Sequence, residues 1–146
     1  MTDVAFHFGA EDKLGYCCRL LRKASVAGAT VTVVAPQVDL NKIDAGLWAV
    51  SPTDFIPHCE VNGPQSQLGR STIHLTCDMS KALGRNGVLL NLCGDVPDGF
   101  EAFDRVIEVV STDDLDREKA RQRWKHYKNK GYSITRHDLA TKGQAA

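Results

Sequence analysis

The chain has 146 residues, 18 basic against 18 acidic side chains, and a formal net charge of zero. Hydrophobic residues make up 42% and charged residues 25%, a globular balance that sets aside disordered, collagenous and coiled-coil classes. Zero net charge argues against a protein that binds nucleic acid or a membrane surface by bulk positive charge.

At ~150 residues per domain the length predicts one domain, spanning residues 1–140, with 141–146 a flexible tail. No apolar run approaches the ~18 residues of a membrane span. The opening Met1-Thr2-Asp3-Val4 shows neither the basic nor the apolar stretch of a secretion signal. Five cysteines (Cys17, Cys18, Cys59, Cys77, Cys93) are odd in number and unevenly spaced, unlike a disulfide framework or a zinc motif. A reduced, cytoplasmic setting is expected.

Residues 4–8 read as a first strand. Leu14, Cys17, Cys18, Leu21 and Ala24 then follow the spacing of one helix face, with Gly28 as a stop. The β-branched run 31–35, closed by Pro36, reads as a buried strand. Strand, helix and strand within this length favour a parallel pair with a right-handed crossover. Residues 39–48 suit a second helix. Residues 51–62, punctuated by Pro52 and Pro57, read as irregular. The alternating 72–77 reads as a strand with one wetter face. Gly84-Arg85-Asn86-Gly87 is turn chemistry, followed by strands at 88–92 and 105–110, with Phe100 and Phe103 packing under the latter. A long helix over 113–130 has Thr112 or Asp113 as its cap, acids in its first turn and bases in its last. The sum is an α/β, Rossmann-like, three-layer α/β/α fold with a mostly parallel sheet and helices on both faces.

Such a fold invites a nucleotide, but the turn Phe8-Gly9-Ala10-Glu11-Asp12 lacks G-x-G-x-x-G and sets two acids where phosphate would sit. There is no P-loop, no G-x-S-x-G, no C-x-x-C and no H-x-x-x-H. His7 and His74, each inside a strand, read as hydrogen-bonded sheet residues. No cofactor, metal or catalytic residue is expected, although a small-molecule or nucleotide-binding enzyme stays as an alternative.

The informative segment is residues 117–130, with seven bases and one acid. The rest of this neutral chain must then carry −6, so the charge is sharply polarised. At about 100° per residue, Arg117, Arg121, Trp124, Lys125 and Lys128 fall within an arc of about 100°. Ala120 and Tyr127 flank that arc toward the sheet, and Trp124 lies on the border. An aromatic beside aligned cations can seat an apolar anchor and fix a carboxylate. Arg121 suits bidentate capture and Lys125 acts as a point charge; Tyr132, just past the helix, could complete the wall. A solvated basic face explains the charge run equally well. Single-stranded DNA stacking on Trp124 is a further alternative, opposed by the net negative remainder.

Two segments carry a resemblance. Ile43-Asp44-Ala45-Gly46-Leu47-Trp48, followed by Ser51-Pro52-Thr53-Asp54-Phe55-Ile56-Pro57-His58, resembles the signature of the chi subunit of bacterial DNA polymerase III. Ala120-Arg121-Gln122-Arg123-Trp124-Lys125-His126-Tyr127, then Gly131-Tyr132, is similar to that family's closing helix, with Trp124 where the family often has Tyr. The resemblance implies a non-catalytic accessory subunit of the clamp-loader complex. It implies binding of the acidic, phenylalanine-ending C-terminal tail of single-stranded DNA-binding protein at Arg121, Trp124 and Lys125, with Arg117 and Tyr132 nearby. It also implies pairing with the psi subunit, where one is present, around Trp48, Phe55, Ile56 and Pro57. Contact with DNA would be mainly indirect.

Overall fold

A computed structural model describes residues 2–50, 58–60, 73–77, 87–97 and 99–139, with the backbone alone for 48–50 and 58–60. Its elements are β1 (Asp3–Ala10), α1 (Lys13–Val26), β2 (Val31–Val34), α2 (Gln37–Val50), β3 (His58–Glu60), β4 (Ile73–Thr76), β5 (Val88–Asn91), β6 (Arg105–Ser111), α3 (Asp114–Asn129) and β7 (Ile134–Asp138). A 3-10 turn, Phe100–Ala102, precedes β6.

The strands form one sheet in the order β3-β4-β2-β5-β6-β1-β7. Each pairing between neighbours is parallel. Parallel strands need covering on both faces, and the sequence supplies that through period-two alternation. On one face Cys17, Cys18 and Leu21 of α1 and Leu40, Ile43 and Leu47 of α2 pack on Val31, Val33, Ile73, Leu75, Leu90 and Val109. On the other, Ala120 and Tyr127 of α3, with Phe100 and Phe103, pack on Val4, Phe6, Val34, Leu89, Val106 and Val110. Each large apolar side chain so buried contributes roughly 1.5–3 kcal/mol. The result is the three-layer α/β/α architecture.

Several local expectations are corrected. β1 and β2 are parallel but not neighbours: β1 pairs with β6 and β7, β2 with β4 and β5. β5 and β6 therefore lie between them, so the first crossover spans two strands. The stretch 51–62 is not wholly irregular, because its end forms β3. β4 has no wetter face: Ile73, His74, Leu75 and Thr76 are all buried. The chain after α3 forms an edge strand, β7, that helix-stop signals alone do not announce. The tail from 140 onward lies outside the described residues.

Cys17 and Cys18 are buried in the α1 face. Burial is the main cause that pushes the Cys17 thiol up to about 12 and raises that of Cys18 as well, so both serve as small apolar core groups. Among the described residues no helix is long and apolar enough to cross a membrane, and no group of histidines, cysteines and acids could hold a metal ion.

Candidate functional site

Helix α3 begins on Asp113, whose carboxylate accepts the Asp116 N–H at 3.1 Å. Asp114 and Asp116 stand in its first turn and His126 and Lys128 in its last, which suits the helix dipole at both ends. Gly131 then adopts φ 85°, a left-handed conformation that glycine takes without strain. The Tyr132 N–H donates back to the Tyr127 carbonyl at 3.1 Å.

The rotation of α3 about its axis decides which bases reach solvent. Ala120, Arg123 and Tyr127 face the sheet and are buried. Arg123, outside the arc of Arg117, Arg121, Trp124, Lys125 and Lys128, is one of the seven bases of residues 117–130 and does not reach solvent. Its Nε donates to Glu108 Oε1 at 2.9 Å and its Nη1 to the Gly94 carbonyl at 3.0 Å. Glu108 Oε2 accepts from the Tyr127 hydroxyl at 2.6 Å and from Asn91 Nδ2 at 2.9 Å. Burial raises the Glu108 carboxyl above its ordinary range, while the Arg123 charge and the donors from Asn91 and Tyr127 pull it down. Burial and the neighbouring Glu108 charge also raise the Tyr127 hydroxyl. The network ties α3 to β6 and to the end of β5, and so fixes the helix azimuth. At the helix start, Asp116 accepts the Ser111 N–H at 2.8 Å and pairs with Lys13 of α1 at 3.2 Å.

With Arg123 turned inward, Arg117, Arg121, Lys125 and Lys128 stand exposed. Arg117 lies 3.9 Å from Asp114, itself fully exposed, a pairing of little strength. Among the described residues no ion pair holds Arg121, Lys125 or Lys128. Trp124 is half-buried. Its ring packs 5.0 Å from Phe6 and 6.0 Å from Phe8 of β1, while Arg121 and Lys128 are its helical neighbours at i−3 and i+4. The structure thus brings Arg117, Arg121, Trp124 and Lys128 to one flank of the helix, with Lys125 at its margin.

Tyr132 stands elsewhere. Its ring meets Phe100 at 5.1 Å and lines an open groove of about 440 Å³ with Val96, Pro97, Gly99, Glu101, His126 and Lys130. On the helix circumference His126 lies opposite Arg117, so this groove opens on the other flank. Phe55, Ile56 and Pro57 lie outside the described residues. Trp48 is known only as a backbone position in α2.

Sequence reasoning missed three contributors. Phe8 and Phe6, one residue apart on β1, share a face and stack at 5.7 Å, and alternation in the first strand is the signal that could have found them. Arg136 of β7 holds its guanidinium carbon 5.0 Å from the Phe8 ring centre. The β-branched Ile134-Thr135 after Gly131 is a faint strand signal for it. At the carboxyl end of β1, Asp12 caps α1 by accepting the Gly15 N–H at 3.1 Å. Its carboxylate thereby takes a helix-start donor that a phosphate would use.

Curated relatives share the sequence over much of this frame. A protein named DNA polymerase III subunit chi from Haemophilus influenzae is 30% identical over 94 residues, 64% of each chain. Another of that name from Pseudomonas aeruginosa is 27% identical over 135 residues, 87% of each chain. The Escherichia coli protein of that name is 27% identical over 94 residues, 64% of this chain and 62% of its own. The family model described as DNA polymerase III chi subunit, HolC, matches residues 1–135. A match over nearly the whole described fold shows that the chain belongs to the DNA polymerase III chi subunit family.

Proposed function

We propose that this chain is a non-catalytic accessory subunit that docks the acidic, phenylalanine-ending C-terminal tail of single-stranded DNA-binding protein on helix α3. One observation carries the reading. Arg117, Arg121 and Lys128 are exposed along a half-buried Trp124, whereas Arg123 between them is neutralised from inside by Glu108. Simple solubility does not require a half-buried indole beside exposed cations, of which Arg121 and Lys128 have no ion pair among the described residues.

In this reading the terminal carboxylate of the tail pairs with Arg121. The terminal ring enters beside Trp124, and upstream aspartates meet Lys125, Lys128 and Arg117. Exposed pairs are worth only about 0–1 kcal/mol each and are screened by salt. The ring and its carboxylate therefore dominate, as anchors of small interfaces do. A dissociation constant near 1 μM, about −8 kcal/mol, is expected. Many tails on one coated strand raise the effective concentration without any single contact being tight.

The family likeness further supports attachment to the clamp loader through a psi subunit, around Trp48, Phe55, Ile56 and Pro57, and a cytoplasmic place of work. The test is fluorescence anisotropy of a labelled, aspartate-rich peptide ending in phenylalanine. It should bind at low salt and weaken as salt rises. The same peptide without its last residue should fail. Equal binding of both peptides would remove the ring-and-carboxylate anchor.

A further inference from the structure

Among the described residues β7 pairs only with β1, so it stands at one edge of the described sheet. The pairing sets Phe6 opposite Arg136. Alternation sends Ile134 and Arg136 to the α3 side of the sheet, where Ile134 joins the cluster that holds Trp124. Arg136 is exposed, yet its guanidinium is held 5.0 Å over the Phe8 ring, and Phe8 in turn packs against Trp124 at 6.0 Å. Arg121 lies one helical turn from Trp124, at i,i+3 spacing. The contiguous order is Arg121, Trp124, Phe8, Arg136: a cation from the helix, two aromatic rings, and a second cation from the sheet edge.

A guanidinium resting on an aromatic face keeps its in-plane N–H donors available and has already lost part of its side-chain freedom. It is therefore better prepared to take a carboxylate than a freely moving lysine. We propose that Arg136 is a second anion-recognition residue of the docking surface, which takes an upstream acidic side chain of the bound peptide and leads the peptide from α3 onto the β7 edge. This rests on the tail-docking reading above and extends it to a residue outside the helix. It makes the recognised partner an acidic peptide with one carboxylate at its terminus and another set back across two rings.

The test is anisotropy of the labelled aspartate-rich, phenylalanine-ending peptide with the parent chain, Arg136→Gln, Arg136→Lys and Arg121→Ala. Arg136→Gln should weaken binding about three- to ten-fold and flatten its salt dependence. Arg136→Lys should recover only part, because the charge stays while the stacked fork is lost. A set of peptides with single Asp→Asn changes should show one upstream position whose effect disappears in Arg136→Gln, while the terminal residue keeps its full effect. If Arg121→Ala weakens binding but Arg136→Gln binds like the parent, or couples to no upstream acid, the Arg136 assignment is wrong and the helix site stands. If the parent chain itself does not bind the peptide, both readings fall together. Thermal unfolding of each variant, expected near the parent value because residue 136 is exposed, separates lost recognition from lost folding.

Discussion

Glu108 and Arg123 close a buried ion pair at 2.9 Å directly beneath the helix that carries Arg121 on its outer side. Two arginines two residues apart thus do opposite things. One is spent internally on the azimuth of α3, and the other is left to solvent. Breaking such a pair from one side leaves an uncompensated buried charge, at a cost of about 3–5 kcal/mol. Glu108→Gln should therefore lower the melting temperature by about 10 °C or more. Glu108→Met combined with Arg123→Met should recover part of that loss, the rest going to the Tyr127 hydroxyl and Asn91 amide left without their acceptor. A Glu108→Gln protein that melts with the parent would show that the pair does not hold the helix.

Asp116 gives a pH signature. Burial alone would lift its carboxyl, but the Ser111 N–H and the Lys13 ammonium outweigh burial and hold it below its ordinary value. A group lowered on folding stabilises the fold above its unfolded value near pH 3.9 and loses that contribution as pH falls through the folded one. Asp116→Asn should be less stable than the parent at neutral pH, with the gap narrowing as pH falls below the ordinary carboxylate range and through the lowered value of the folded state. Denaturant titrations at both ends check this; a constant gap would mean that the charge is irrelevant.

The α1–α2 contact depends on a missing side chain. A Cβ at Gly46 would stand 2.7 Å from Cys18 Sγ. Gly46→Ala should cost about 1–3 kcal/mol through overpacking. In a Cys18→Ala background the same change should turn neutral or favourable, since alanine is the better helix former by about 1 kcal/mol. Urea unfolding of the four proteins gives the coupling directly; additive effects would contradict the close approach.

Trp124 has two faces and should show two separable losses. Trp124→Ala should cost about 2 kcal/mol of stability through its lost packing on Phe6, and weaken acidic-peptide binding by at least about ten-fold. Trp124→Tyr keeps an aromatic wall and should retain most of both. If Trp124→Ala loses stability but binds the peptide unchanged, the indole is a core residue only.

The layers of this fold were legible because buried parallel strands announce themselves as β-branched runs, as at Val31–Val34, and helices by their capping and period, as at α3. Neighbour order was not. Nothing local in β1 says that it inserts between β6 and β7 rather than beside β2. The cation–aromatic flank was half legible. Helical spacing aligns Arg117, Arg121, Trp124 and Lys128 without knowledge of the fold. That same spacing sets Arg123 beside Ala120 and Tyr127 on the sheet side, but it could not show what neutralises it there, because its acid comes from β6, 15 residues away. It also could not separate Tyr132, whose position depends on the Gly131 turn and on Phe100. Arg136 was invisible because its role depends on the pairing of an edge strand.

The most direct measurement is a titration of the labelled acidic, phenylalanine-ending peptide with the parent chain and with Arg121→Ala at low and physiological salt. The parent should bind near 1 μM, and Arg121→Ala should be weaker by about ten-fold or more, with the smaller salt dependence. An Arg121→Ala chain that binds as tightly as the parent at both salt concentrations would contradict docking on α3.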